Sequence, residues 1–153
     1  MNTGLTDLYQ EVILDHSRHP RNFGAAEDSN RQARGNNPLC GDRVTVYLTV
    51  DGDHINDAHF EARGCAISIA SASMMTEMIK GKTVDEAKSL FDRFHTLVVS
   101  DTGDANGAAD EDMAELASLS GVRAFPTRIK CATLAWHAMN AALDGAAEDV
   151  KTE

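Results

Sequence analysis

Arg43-Val44-Thr45-Val46-Tyr47-Leu48-Thr49-Val50-Asp51-Gly52-Asp53 is the stretch that decides the fold. Val44, Val46, Leu48 and Val50 fall on one side of an extended chain, and Arg43, Thr45, Tyr47 and Thr49 on the other. That two-residue period marks a strand with one face in a core. Asp51-Gly52-Asp53 is a hairpin turn, and the returning strand covers about 54–63. There Ala58, Phe60 and Ala62 share a face while Ile55 is out of phase, so a bulge is expected near Asn56-Asp57.

Helical periods surround the hairpin. Residues 5–16 place Leu5, Leu8, Tyr9, Val12, Ile13 and His16 on one stripe, and Pro20 ends that helix ahead of a turn at 21–24. Residues 25–38 are polar, with a short edge strand expected near 31–35. A helix over 66–80 carries Ile67, Ala70, Met74, Met75 and Met78 on its buried stripe, and Gly81 stops it. The methionines read as core filler. Thr83-Val84-Asp85-Glu86 is a capping box that opens a short helix to about Phe94. A helix near 111–119 and a last helix over about 129–143 follow, the latter preceded by a break at Pro126. The tail beyond Gly145 is expected to fray. The expected fold is α+β, a small antiparallel three-stranded sheet packed against several helices, in a single domain over 1–153.

Composition narrows the function classes. The 153 residues carry 14 Lys+Arg against 24 Asp+Glu, a net charge of −10. Phosphate backbones repel such a chain, and no basic stripe interleaved with aromatics offsets this, so nucleic acid is not expected as a partner. No apolar run approaches the roughly 20 residues of a membrane span, and no membrane partner is expected. The N-terminus has no basic region followed by an apolar one. Together with cysteines that cannot all pair, this points to a reduced, cytoplasmic setting. The acidic stretch 100–112 fails as a calcium loop, since Thr102 stands at position 1 and Met113 at position 12. No Ser-His-Asp order, G-x-S-x-G, P-loop or GxGxxG is present.

The three cysteines are more informative. Cys40 is on the loop entering the first hairpin strand, Cys65 lies between a strand and a helix, and Cys131 falls in the first turn of the last helix. Three thiolates and the Asp42 carboxylate make four ligands, enough for a closed tetrahedral zinc site. Soft thiolates favour zinc or an iron–sulfur cluster over magnesium or calcium. Arg43, Arg63, Arg128 and Lys130 lie within three residues of a cysteine and would offset the negative charge. A helix N-terminus also favours the thiolate, the reactive form of cysteine. The competing reading is three unrelated small buried hydrophobes. Spacing alone leaves both open, because there is no C-x-x-C pair. None of His16, His19, His54, His59, His95 and His137 adjoins a cysteine, and none is expected to be a ligand.

At these residues the chain resembles a known family. The stretches 8–24 (from Leu8-Tyr9-Gln10-Glu11 to Asn22-Phe23-Gly24), Asn37-Pro38-Leu39-Cys40-Gly41-Asp42, 64–73 (Gly64-Cys65-Ala66-Ile67-Ser68 onward) and Arg128-Ile129-Lys130-Cys131-Ala132-Thr133 look like the U-type iron–sulfur cluster assembly proteins, the IscU/NifU N-terminal-like family. The likeness runs from about residue 5 to 143. The scaffold branch carries a histidine immediately before its last cysteine and a short connection ahead of it. Lys130 and an extra segment at about 95–125 resemble the SufU branch instead.

That resemblance implies a zinc-dependent sulfur acceptor, a sulfurtransferase partner of a SufS-type cysteine desulfurase. It implies zinc on Cys40, Asp42, Cys65 and Cys131, the set that the chemistry also offers. Cys40 would take the persulfide sulfur after a partner side chain, a histidine, displaces it from zinc. Arg128 would orient Cys40 or balance its charge, and Tyr9 with the first helix would contact the desulfurase. Downstream iron–sulfur assembly proteins would be further partners. The alternative within the family is a scaffold that builds and hands on a 2Fe–2S cluster, with iron in place of zinc. A structural zinc module that only binds partners is a third reading, which the loop position of Cys40 disfavours.

Overall fold

The computed structural model describes residues 3–38, 41–99, 119, 126–145 and 150–151. In chain order the elements are α1 (Thr3–Arg18), β1 (Arg31–Asn37), β2 (Asp42–Asp51), β3 (His54–Arg63), α2 (Ala66–Ile79), α3 (Val84–Val99), α4 (Pro126–Leu143) and β4 (Val150–Lys151). The sheet order is β3-β2-β1-β4. β1, β2 and β3 are antiparallel, as the sequence predicts.

The hairpin follows its pattern. Val44, Val46, Leu48 and Val50 are buried on the inner face of β2. On β3, Thr49 pairs with Asp57 and Val50 with Ile55, which leaves Asn56 as the extra residue of the expected bulge. The slip is what returns Ile55, fully buried, to the core face with Ala58 and Phe60.

α4 lies on β1 and β2, α2 on β3 and against α4, α1 against α2, and α3 on α4. Gly35 shows how closely α4 sits, because a Cβ there would stand 3.0 Å from Leu134 Cδ1. The Met, Ala and Ser side chains of α2 are small or flexible enough to be enclosed on several sides at once. Of the predicted stripe, Ala70, Met74, Met75 and Met78 are buried and Ile67 is half-buried, and Ser68, Ser71, Ser73 and Thr76 are buried with them.

Several boundaries differ from expectation, each for a physical reason. β1 runs through Asn37, and β4 pairs with it in parallel, Gly35 opposite Val150. Its inward residues Ala33, Gly35 and Asn37 carry too little hydropathy to reveal the strand. The tail expected to fray contributes β4 at 150–151. The capping box forms in both directions, Thr83 N–H to Glu86 Oε1 at 2.9 Å and Glu86 N–H to Thr83 Oγ1 at 3.1 Å. Its helix continues past Phe94 to Val99, because Leu97 and Val98 extend the buried stripe. Pro126 begins α4 rather than breaking the chain ahead of it, since a first-turn residue needs no N–H donor. The expected helix near 111–119 and the acidic stretch 100–112 lie outside the described residues, Leu119 excepted, which is buried.

A buried hydroxyl joins the two helices on the sheet. Trp136 Nε1 donates to Ser71 Oγ at 3.0 Å, and Ser71 Oγ donates to the Ala132 carbonyl at 2.5 Å. Ala132 adjoins Cys131, so this bond also fixes the height of α4 at the site. Ser71→Ala strands the indole N–H and is expected to cost about 1–3 kcal/mol in urea unfolding. A change below a few tenths would show that the bond contributes nothing.

Candidate metal centre

Three elements converge at one end of the sheet. Asp42 opens β2, opposite Asn37 at the end of β1. The Gly41 N–H bonds the Asn37 carbonyl at 2.8 Å and closes the connection that carries Cys40 in sequence. Cys65 is the N-cap of α2, in extended backbone at φ −74° and ψ 165°. Cys131 projects from α4. The ligand atoms of Asp42, Cys65 and Cys131 all lie within 4.8 Å of one another. This is the one such group found among the described residues.

Asp42 is 1% exposed, and its carboxylate makes two contacts with Cys65. Oδ1 accepts the Cys65 N–H at 3.1 Å, and Oδ2 stands 3.8 Å from the Cys65 sulfur. The first contact uses a donor that the helix start leaves free, and a carboxylate there also meets the positive end of the helix. Gly64 makes the approach feasible. Its φ is +156°, and a Cβ on it would lie 2.2 Å from Asp42 Oδ1 and 3.2 Å from Asp42 Cα. Only a residue without a side chain lets the carboxylate lie under this junction.

The sulfurs have unlike surroundings. Cys65 is exposed and Cys131 is 2% exposed. One expectation is corrected for Cys131. Because α4 starts at Pro126, Cys131 sits beyond the first helical turn, where the helix dipole acts more weakly. It is also buried on the inward face, the position expected of a structural cysteine. Cys40 lies outside the described residues. Arg128 is exposed, three residues before Cys131 and so on the same side of α4. Lys130 is half-buried, and both cations engage other groups.

Every histidine has other company. His16 Nδ1 bonds Ser73 Oγ at 2.7 Å, His54 meets Asp53 and His59 meets Asp57, each at 2.8 Å. His19 lies 3.7 Å from Asp15. His95 and His137 pack their rings around Phe91, and burial, followed by the nearby His95, lowers the pKa of His137.

The donor set fits zinc. Ligands about 2.0–2.3 Å from a tetrahedral ion stand roughly 3.5–3.8 Å apart, and the Asp42–Cys65 separation of 3.8 Å falls at that spacing. Two unit negative charges about 4 Å apart repel by about 4 kcal/mol at an effective dielectric of 20. An ionised cluster of this kind therefore calls for a cation. Sequence reasoning named Asp42, Cys65 and Cys131, which the structure brings together, but missed Gly64 as the residue that admits Asp42. The signal was present as a glycine directly before a cysteine at a strand-to-helix junction.

The NifU-like N terminal domain family model matches residues 8–132. The chain belongs to this family. Among its relatives, the zinc-dependent sulfurtransferase SufU of Bacillus subtilis is 45% identical over 138 residues, 90% of each chain. The iron–sulfur cluster assembly scaffold protein IscU of Streptococcus pyogenes is 42% identical over 139 residues, 91% of this chain and 84% of its own. The crystal structure of FiSufU from the thermophile Fervidobacterium islandicum superposes with a TM-score of 0.76 at 35% identity, covering 87% of this chain and 94% of that one.

Gly64→Ala is expected to push the Asp42 carboxylate off the Cys65 amide and lower zinc affinity at least tenfold, about 1.4 kcal/mol or more. Competition against a chromophoric chelator measures this. Wild-type affinity in the variant would show that the close approach is not needed for the site.

Proposed function

We propose that this chain is a zinc-dependent sulfur acceptor that takes persulfide sulfur from a SufS-type cysteine desulfurase for iron–sulfur cluster assembly. The observation that carries the reading is the convergence of one carboxylate and two thiols, from three elements, with no histidine among them. The 45% identity with a zinc-dependent sulfurtransferase supports it.

In this reading Cys40, Asp42, Cys65 and Cys131 hold one zinc ion, and the whole chain acts as one domain, with 95–125 as the segment that distinguishes its branch. The ion, when bound, keeps the thiols deprotonated at neutral pH. Docking on the desulfurase frees Cys40. The Cys40 thiolate attacks the terminal sulfur of the desulfurase persulfide, a new sulfur–sulfur bond forms, and the old one breaks. The desulfurase cysteine leaves as a thiolate, and Cys40 ends as a persulfide. Arg128 would balance the charge of the Cys40 thiolate. Asp42, buried and held by the Cys65 amide, keeps the rest of the site in shape while Cys40 is away. Tyr9 and α1 are a candidate contact with the desulfurase. Downstream iron–sulfur assembly proteins then receive the sulfur in the cytoplasm. Among the described residues no helix is long and apolar enough to cross a membrane, and a chain of net charge −10 suits neither nucleic acid nor an anionic lipid surface.

A second reading is favoured by the similarity to IscU scaffolds, in which the same ligands hold iron and a transient 2Fe–2S cluster as cargo. Lys130 counts against it, since the resemblance implies a histidine at that place in the scaffold branch.

The test is desulfurase activity in the presence of zinc-loaded variants. Cys40→Ser is expected to reduce stimulation to the desulfurase's own basal rate while still binding the enzyme. Arg128→Ala is expected to keep its zinc and lose about tenfold or more in stimulation, the loss of one charge-assisted hydrogen bond of roughly 1.5–3 kcal/mol. Stimulation that survives Cys40→Ser contradicts the reading, and full stimulation by Arg128→Ala removes Arg128 from it.

A further inference from the structure

Arg43 of β2 and Arg63 of β3 stand directly opposite each other in the antiparallel ladder. Both are exposed. Among the described residues, neither guanidinium has a hydrogen-bond or ion-pair partner. Like charges directly opposed weaken a sheet. The pair is also out of keeping with a chain of 24 carboxylates, where Arg21 pairs with Asp15, Lys80 with Asp57 and Lys88 with Asp144. In sequence Arg43 adjoins Asp42, and Arg63 is two residues from Cys65, so both stand at the same end of the sheet as the metal centre, with Arg43 on the face of β2 opposite Asp42.

The two arginines line one hollow of about 320 Å³, together with Phe23, Thr45 and Glu61. Phe23 is 51% exposed, a large apolar side chain left in water. It is nevertheless fixed in place. Its ring stands edge-on to Phe60 at 5.3 Å, the Gly24 N–H bonds the Phe60 carbonyl at 2.7 Å, and the Phe60 N–H bonds the Asn22 carbonyl at 3.0 Å. The Glu61 carboxylate accepts the Tyr47 O–H at 2.6 Å and so is not committed to either arginine.

We propose that this hollow is the docking site for an acidic segment of the desulfurase, a carboxylate bridging Arg43 and Arg63 with a neighbouring apolar side chain on Phe23. The proposal rests on the desulfurase being the partner. Guanidinium groups take carboxylates through paired, charge-assisted bonds. A fixed aromatic beside unpaired arginines has the composition of an interface hot spot. Charge complementarity favours an anionic occupant, because the hollow gathers two unpaired cations in a chain whose net charge is −10. The hollow lies at the same end of the sheet as exposed Cys65. The arginines and Phe23 position the partner and take no part in the sulfur transfer itself.

The experiment titrates zinc-loaded protein against the SufS-type desulfurase of the same organism at several NaCl concentrations, reading Kd, the KM for the acceptor and the saturated rate. The double variant R43Q/R63Q is expected to keep its zinc, to melt no lower than wild type because the opposed charges are gone, and to bind at least tenfold more weakly. The salt dependence of binding should flatten, and the loss should fall on KM rather than on the saturated rate. R43K/R63K, with the charge kept and the fork lost, should recover part of the affinity. Phe23→Ala lies away from the ligands and guards against a folding artefact; it should raise KM several-fold with zinc content as in wild type. Binding by R43Q/R63Q within twofold of wild type, or no change on Phe23→Ala, overturns the proposal and leaves the sulfur-acceptor reading standing. A wild-type chain that neither binds nor stimulates the desulfurase overturns both. The two failures differ in whether wild type is active.

Discussion

The carboxylate of Asp42, buried beneath Gly64 and bonded to the Cys65 amide, is the constraint on which the site depends. It ties the first residue of β2 to the N-cap of α2. The rest of the fold supplies the third member, because α4 crosses β1 at Gly35 and brings Cys131 to the same end of the sheet. A buried carboxylate is costly unless it is hydrogen-bonded and its charge is balanced. Here one backbone N–H is given to Oδ1, while Oδ2 faces a thiol. That arrangement is poor as a stability device and sensible as a ligand.

The asymmetry of the two described sulfurs follows from the same scaffold. Cys131 comes from the inward face of α4, beside the Ser71–Ala132–Trp136 linkage that fixes α4 against α2. Cys65 caps a helix at the surface. The donor set is thus closed on the core side and exposed at Cys65. The arrangement leaves the Cys65 side exposed while Asp42 and Cys131 are enclosed.

The hairpin and its bulge were legible in the sequence because their signal is binary: Val44, Val46 and Leu48 alternate, and Ile55 breaks phase. β1 was only half legible, since Ala33, Gly35 and Asn37 are chosen for closeness to α4 rather than for hydropathy. Pro126 misled in the opposite sense. The same ring that disrupts a helix interior is well placed at its start, and only the structure distinguishes the two. The candidate ligand residues could be named from residue chemistry and resemblance, but their meeting could not, because Asp42, Cys65 and Cys131 are joined through the fold and not by local spacing. The opposed Arg43–Arg63 pair needed the register of β2 on β3 to be seen.

The most direct measurement is native mass spectrometry with metal analysis, on protein purified without added iron, before and after incubation with the desulfurase and cysteine. The account predicts one zinc per chain at the start and one added sulfur atom on Cys40 afterwards. Substoichiometric zinc, a coloured cluster on reconstitution and no sulfur on Cys40 would contradict it.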